Sequence, residues 1–272
     1  MSPAQGAACQ ANGRTGLTLD SSRDVRLELL QGFQAMFKGY ELDLPQSAQR
    51  VLAFLGLQTR PLSRSFVAAK LWMDCSEERA AANLRSALWR ANRPECRLVD
   101  ADSRLIRLAR DVSVDVREST KLAHAVLDGD VDCTDIRLEG LVGDILPGWY
   151  EEWVVFERER FHQLRVHALE SLCDQLAASR RYVRAEQAGL AAISGEPLRE
   201  SSHRALIRVY LGGGNRGEAI RQYGVCRGLL RDELGIDPSP DTESLVEAFL
   251  AGGGGERALG TEELPPGPTH LG

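Results

Sequence analysis

Apolar and polar residues alternate in the first patterned part of the chain. The alternation covers residues 25–30, and Met36-Phe37 and residues 40–44 then flank a Lys38-Gly39 turn. A period of two is typical of a half-buried β-strand. The pattern therefore predicts short antiparallel strands, the last of which ends at Pro45 because proline interrupts strand pairing.

Three helical segments follow, and each begins at a serine that is able to cap it. Ser47 is the expected cap of a helix that runs to Leu57. Ser63 is the expected cap of the second helix, and Ser76 is that of a third helix that reaches Arg93.

A hairpin is predicted after the third helix. Residues 97–99 and 104–108 are extended apolar segments, and they bracket the turn-forming run Asp100-Ala101-Asp102-Ser103. Strands, three helices and a terminal hairpin in this order predict a winged helix-turn-helix.

From Asp115 onward the pattern is helical throughout. Asp115 and Glu118 are spaced as a capping box, residues 149–178 are expected to form one long helix, and residues 241–250 a last one. A set of apolar positions also recurs after 34 residues, which is the tetratricopeptide period. The recurring positions are Leu172, Leu176 and Ala185, which return as Leu206, Tyr210 and Ala219.

These patterns predict a mainly α protein, in which a winged helix-turn-helix with short β-strands precedes an all-α, tetratricopeptide-like domain. The expected segments are a disordered N-terminus (1–24), the winged helix-turn-helix (25–113), the helical repeat (114–250) and a disordered tail (251–272). Charge divides in the same way, because residues 25–113 carry 14 Lys and Arg against 10 Asp and Glu, while residues 114–272 carry a net −10. Such asymmetry is expected when one domain faces phosphates and the other does not.

Motifs for metal binding and catalysis are missing from the sequence. The six cysteines form no C-x-x-C pair, and neither a phosphate-binding loop nor a hydrolase motif occurs. Asp128, Asp130, Asp132 and Glu139 match part of a calcium loop, but Cys133 replaces the glycine of the sharp turn, so a solvated acidic loop is favoured. We expect no enzyme activity, no cofactor and no metal.

Neither a leader peptide nor a membrane-spanning segment is predicted, because the N-terminus is polar and no run of about 20 apolar residues occurs. We therefore expect a cytoplasmic, nucleoid-associated protein with no membrane partner.

The third helix carries the strongest functional pattern. Its core face comprises Ala80, Leu84, Leu88 and Ala91, and the opposite side is basic and polar. That outward side consists of Arg79, Ala82, Ser86, Trp89, Arg90 and Arg93, with Asn83 and Arg85 at its borders. Arginine and asparagine bind guanine and adenine bidentately in the major groove, and small residues allow close approach. A solvated basic face is the alternative, but the neighbouring helix and hairpin favour a DNA-reading helix.

Further candidate DNA contacts flank that helix. Arg97, Arg104 and Arg107 of the hairpin are expected to reach phosphates or the adjacent minor groove. Ser63, Arg64 and Ser65 are placed either for phosphate contacts or for simple helix capping. Trp89 has two possible roles, packing against the base of the wing or contacting a thymine methyl group or a sugar.

Several longer motifs resemble the SARP-type antibiotic-pathway regulators, over about residues 25–250. In the first half they are residues 82–90 and Arg107-Leu108-Ala109 leading into Val114-Asp115-Val116. In the second half the motifs resemble the bacterial transcriptional activation domain of that family. These motifs are Leu146-Pro147-Gly148-Trp149-Tyr150, residues 157–161, residues 196–201, and Asp232-Glu233-Leu234-Gly235 with Pro238-Ser239-Pro240.

The resemblance implies a promoter-specific activator that binds double-stranded DNA, often at direct repeats, as a homodimer. It also implies recruitment of RNA polymerase through its sigma or alpha subunit, with the loop Met73, Asp74 and Cys75 facing the polymerase and the repeat domain contributing to dimerisation. The sequence departs from the family at the end of the third helix, which Ala91-Asn92 make less basic. We expect the short form of the family, without an ATPase extension. The main alternative is a helical-repeat adaptor in which DNA contact is secondary.

Overall fold

A computed structural model of the chain describes residues 24–252. The termini that were expected to be disordered, residues 1–24 and 251–272, lie almost entirely outside the described residues.

The first half of the described chain forms a winged helix-turn-helix, as predicted. The elements are β1 (Val25–Glu28), β2 (Gln34–Phe37), β3 (Tyr40–Glu41), α1 (Gln46–Gly56), β4 (Leu62–Ser63), α2 (Arg64–Leu71), α3 (Glu77–Ala91), β5 (Val99–Ala101), β6 (Leu105–Leu108) and β7 (Val112–Val114). One sheet has the strand order β3-β2-β1-β7, and the second, with the order β4-β6-β5, forms the wing.

Strand β7 was not predicted from the sequence. It pairs parallel to β1, with Val112 beside Val25 and Val114 beside Leu27. All three residues of β7 are buried, so the strand shows none of the alternation that reveals a half-exposed strand. Its partner also lies more than 80 residues away in sequence, so no local signal marks the pairing.

Two predicted helix ends in this half are wrong. Helix α1 is preceded by Pro45 as its N-cap, with no side-chain hydrogen bond, so Ser47 lies inside the first turn and does not cap it. Helix α3 ends at Ala91 and does not reach Arg93. The helix ends early because Asn92 is extended and its Oδ1 accepts hydrogen bonds from the N–H groups of Leu98 and Val99, both at 2.9 Å.

The second half of the described chain is a stack of helix pairs. Its elements are α4 (Asp115–Asp128), a 3-10 helix (Leu138–Leu141), α5 (Glu152–Ala178), α6 (Tyr182–Gly195), α7 (Glu200–Gly212), α8 (Arg216–Leu234) and α9 (Pro240–Gly252). The predicted repeat is confirmed: the bends at Arg181 (φ −90°, ψ 56°) and Asn215 (φ −87°, ψ 63°) have nearly the same geometry. The six recurring apolar positions are all buried in one core.

Three expectations for this half need correction. Val114, not Asp115, is the N-cap of α4, and no capping box forms, because the carboxylate of Asp115 accepts hydrogen bonds from the N–H groups of Leu29 and Leu30 at 2.9 Å. Helix α5 begins at Glu152 and not at residue 149. The chain is also not helical throughout, since residues 129–151 contain only the short 3-10 helix and a single β-bridge.

Residues 196–201 hold the helical pairs together. The carboxylate of Glu170 on α5 accepts hydrogen bonds from Arg199 Nε at 3.0 Å and from the hydroxyls of Ser201 and Ser202 at 2.5 and 2.7 Å. Burial acts to raise the pKa of Glu170, but these donors outweigh it and lower the pKa overall. Glu200 accepts hydrogen bonds from Ser239 in the same manner, which ties α7 to the start of α9.

Aromatic side chains join the winged helix-turn-helix to the repeat. Trp153 on α5 packs edge-on against Phe54 of α1, with ring centroids 5.2 Å apart, and Trp149 stacks on Phe33 at 6.1 Å. Trp153 and Phe54 belong to the same buried cluster as the sheet of the winged helix-turn-helix. The two predicted domains therefore share a hydrophobic core, and we call this contact the joint.

Polar contacts reinforce the joint. The N–H of Leu146 donates to Leu29 O at 2.8 Å, and Arg50 on α1 forms an ion pair of 3.0 Å with Glu151. Lys70 on α2 forms an ion pair of 3.2 Å with Glu152. The start of α5 is thus held against both α1 and α2.

No helix within residues 24–252 combines the length and the apolar character needed to cross a membrane.

Candidate nucleic-acid interface

Helices α2 and α3 form the helix-turn-helix, and serine caps fix where each begins. Ser63 Oγ accepts a hydrogen bond from the N–H of Phe66 at 3.2 Å, and Ser76 Oγ accepts one from the N–H of Arg79 at 3.4 Å. Both predicted caps are confirmed. Glu77 and Glu78 occupy the first turn of α3, where negative charge complements the positive end of the helix dipole.

The predicted orientation of α3 is confirmed. Ala80, Leu84, Leu88 and Ala91 are buried in the core, together with Ala87. The opposite side faces solvent, with Ala82 half-buried and the remainder exposed. The exposed residues on and beside that side, which we call the outer face of α3, are Arg79, Asn83, Arg85, Ser86, Trp89, Arg90 and Arg93.

Three arginines of the outer face carry uncompensated charge. Within residues 24–252, the guanidinium groups of Arg79, Arg85 and Arg90 have no hydrogen-bond or ion-pair partner. Each has its five N–H donors free for an external acceptor. A cluster of unpaired cations on one helix face creates a positive surface potential that attracts an anionic partner.

Trp89 projects from the outer face into solvent. Its side chain is 81% exposed, so it does not pack against the base of the wing, which was one of its two expected roles. Arg85, Ser86, Trp89 and Arg90 line a shallow open groove. The indole is therefore accessible between two of the unpaired arginines.

Arg93 differs from the other arginines of the outer face. It is exposed, but its Nη2 donates a hydrogen bond of 2.5 Å to the backbone oxygen of Asp43. This contact ties the chain beyond α3 to the loop before α1, so only part of the guanidinium is left for another acceptor.

The wing holds two of its three arginines in internal ion pairs. Asp100 on β5 binds Arg97 Nε at 3.2 Å and Arg107 Nη2 at 3.3 Å. The guanidinium of Arg104 has no partner among the described residues and is exposed. Arg104 is the wing arginine that is free for phosphate contact, whereas Arg97 and Arg107 would first have to leave or share Asp100.

The tip of the wing is organised by Asp102. Its Oδ1 accepts hydrogen bonds from the N–H groups of Leu105 and Arg104, both at 2.7 Å, and these two donors lower the pKa of its carboxyl. Arg64 Nη1 donates to Asp102 O at 3.3 Å, which connects the start of α2 to the wing. Ser65 Oγ lies 3.3 Å from Ser63 Oγ. The structure thus places Ser63, Arg64 and Ser65 beside the wing.

The loop between α2 and α3 is accessible. Met73, Asp74 and Cys75 are all exposed, and 65% of the surface of Met73 is free. The loop is continuous with the acidic first turn of α3. Its charge is opposite to that of the outer face.

The acidic residues that resemble a calcium loop form no ligand cluster. Asp132 Oδ1 instead accepts hydrogen bonds from the N–H and hydroxyl of Thr134 at 2.9 and 2.8 Å. Among residues 24–252 no group of three or more His, Cys, Asp and Glu residues is arranged to hold a metal ion.

Two residues that organise the interface were missed from the sequence. Asn92 anchors the start of the wing, and Asp100 pairs with the wing arginines. The sequence held a clue to both residues. Asn92 lies near the end of the predicted third helix, just before the predicted hairpin, where a polar side chain often ends a helix, and Asp100 is only three residues after Arg97. The residues of the joint had no comparable signal, because their partners are distant in sequence.

Comparisons with known proteins agree with this architecture. Residues 132–250 match the family model described as the bacterial transcriptional activator domain. Regulatory protein AfsR of Streptomyces coelicolor is 25% identical to this chain over 244 residues, which are 85% of this chain and 25% of AfsR. The chain thus spans about a quarter of the length of that relative.

A solved structure has the same fold. Mycobacterium tuberculosis EmbR, in complex with a low-affinity phosphopeptide, matches with a TM-score of 0.61 and 23% identity over 85% of this chain and 66% of the EmbR chain. The matched family model and the matched relative are both described as regulatory, the first as a transcriptional activator domain and the second as a regulatory protein. Residues 132–250 are therefore similar to a bacterial transcriptional activator domain, and most of the chain is similar to a regulatory protein of Streptomyces coelicolor.

Proposed function

We propose that the protein is a sequence-specific activator that binds double-stranded promoter DNA by placing the outer face of α3 in the major groove. The observation that carries this proposal is the set of three arginines, Arg79, Arg85 and Arg90, that face solvent with no partner among the described residues. Guanidinium groups bind guanine edges bidentately and phosphates through charge-assisted hydrogen bonds. Asn83 and Ser86 lie beside them on the same exposed surface.

The flanking elements complete the proposed footprint. Arg104 extends from the wing toward the backbone or the adjacent minor groove, and Arg97 and Arg107 join it when they exchange Asp100 for phosphate. Ser63, Arg64 and Ser65 contact phosphate from the start of α2, where the positive end of the helix dipole favours anions. Trp89 in the last turn of α3 and Arg93 just beyond the helix belong to the same proposed footprint.

We further propose that the protein recruits RNA polymerase, through its sigma or alpha subunit, with the loop Met73, Asp74 and Cys75. The loop is exposed, and its acidic continuation makes it unsuited to DNA phosphates. The joint supports this role, because a shared core keeps the repeat domain in a fixed position relative to the DNA-bound helix. In this proposal a homodimer binds promoter repeats and controls a secondary-metabolite pathway.

Transcription from a bound promoter fragment tests the proposal. Fragments that the purified protein retains from genomic DNA serve both as binding probes and as templates for RNA polymerase. The wild type is expected to bind with an affinity that falls steeply with salt, since bound arginines release counterions from DNA, and to raise the transcript level. A Met73→Ala/Asp74→Ala variant is expected to bind equally well but to lose most of the activation.

The controls separate the two parts of the proposal. Tyr150→Ala also removes an exposed large side chain, which is 85% accessible, and is expected to leave both readouts unchanged. Failure of the wild type to retain duplex DNA at low salt contradicts DNA binding. Full activation by the loop variant contradicts the proposed polymerase contact but leaves the proposed DNA binding untouched. Retention of partner proteins without DNA binding supports a helical-repeat adaptor instead.

A further inference from the structure

The outer face of α3 has a single large apolar side chain among its described residues, and it belongs to Trp89. The other members are arginines, an asparagine and a serine, with Ala82 half-buried beside them. An indole that is 81% exposed leaves a large apolar area in contact with water. Exposed aromatic residues that are surrounded by polar groups are frequent anchors of binding surfaces.

The position of Trp89 places it among the groups proposed to face the bases. Ser86 and Arg85 precede it by three and four residues on the helix, so they are its neighbours on the same surface, and Arg90 lines the same shallow groove. Ser86 is small and allows a surface to approach the helix closely at this point. A group that enters between Arg85 and Arg90 therefore meets the indole directly.

The chemistry of the major groove identifies what the indole can contact. Arginine donors match the acceptors of guanine, whereas the C5-methyl group of thymine is the apolar feature that a base pair presents there. Trp89 offers an apolar surface, and its one polar atom is a donor. We propose that Trp89 is a specificity-determining residue that reads a thymine methyl group next to the guanine contacts of Arg85 and Arg90. This inference rests on the proposed function.

Removal of single methyl groups from the DNA tests this inference. The probe is a duplex selected by the full-length protein from random sequences, in which each thymine is replaced in turn by deoxyuridine. The wild type is expected to bind about four-fold more weakly when the methyl at one position is missing, because a buried methyl group contributes about that factor. Substitutions at the other thymines are expected to have little effect.

The variant Trp89→Ala removes the proposed reader of the methyl group from the protein side. It is expected to bind the unmodified duplex several-fold more weakly than the wild type and to be indifferent to deoxyuridine at the sensitive position. The dependence of its affinity on salt is expected to match that of the wild type, because no charge is removed. Trp89→Phe, which keeps an apolar ring, is expected to retain part of the sensitivity to the methyl group.

The possible outcomes separate the inference from the proposed function. Equal sensitivity of Trp89→Ala and the wild type to deoxyuridine means that another residue reads the methyl, and overturns the inference. The same conclusion follows if no thymine position is sensitive or if Trp89→Ala loses no affinity, while Arg85→Ala and Arg90→Ala still weaken binding. Absence of duplex binding by the wild type overturns the proposed function as well.

Discussion

The double variant Arg85→Ala/Arg90→Ala is expected to bind its duplex target at least about 30-fold more weakly than the wild type. A bidentate arginine contact to a base contributes about 1–3 kcal/mol, and two such losses multiply in the binding constant. Neither side chain has an internal partner among the described residues, so their removal leaves no unpaired group in the protein. Fluorescence anisotropy titrations at several salt concentrations measure the affinity and its salt slope.

A second double variant controls for the lost charge. Arg160→Ala/Arg221→Ala also removes two exposed arginines, with side chains 78% and 72% accessible, but from α5 and α8 of the repeat, where they pair with Glu157 and Glu218. This control is expected to stay within about two-fold of the wild type, because charges beyond about 10 Å are largely screened. Equal loss of affinity in the two double variants would contradict a localised DNA interface on α3.

Trp153→Ala is expected to lower the free energy of unfolding by about 3–5 kcal/mol, the usual loss for a large aromatic side chain in a core. Trp153 is 7% exposed and contacts Phe54 at the centre of the joint. For a domain of this size, we expect the melting temperature to fall by about 6–20 °C. Denaturant unfolding monitored by circular dichroism measures the free energy, and limited proteolysis reports whether the joint opens.

Two further variants make this prediction specific to packing. Tyr150→Ala, three residues away and 85% exposed, is expected to change stability by no more than about 0.5 kcal/mol. Trp153 Nε1 is buried with no hydrogen-bond partner among the described residues, so Trp153→Phe removes an unsatisfied donor and keeps most of the ring. We expect Trp153→Phe to be much less destabilising than Trp153→Ala. Similar stability of the Trp153→Ala variant and the wild type would contradict a shared core.

Local patterns in the sequence were sufficient for most of the candidate interface. The core face of α3 follows from the helical period of Ala80, Leu84, Leu88 and Ala91, which places the arginines opposite to it. Caps at Ser63 and Ser76 were equally predictable, because a capping side chain bonds only two or three residues ahead. The 34-residue repeat was visible because each helix pair must bury the same positions.

Features that depend on distant partners were not predictable in the same way. Asp115 has a good capping position, yet its carboxylate binds the N–H groups of Leu29 and Leu30 just after β1, in addition to that of the adjacent Val116. The joint depends on Phe54 and Trp153, which are about 100 residues apart. Arg97 and Arg107 looked free for DNA because the strand register that brings Arg107 opposite Asp100, which also binds Arg97, is not visible in the sequence.

Site-directed crosslinking from Ser86 tests the central claim most directly. A photoreactive group is attached to Ser86→Cys after Cys9 and the exposed Cys75 have been replaced by serine, and the remaining cysteines are buried. The same group on Ser194→Cys, an exposed position of α6, serves as the comparison. We predict that the Ser86 probe crosslinks to bases of the bound duplex at a defined major-groove position and that the Ser194 probe does not. Crosslinks from Ser194 alone, or from neither probe on a bound duplex, would contradict the placement of α3 in the groove.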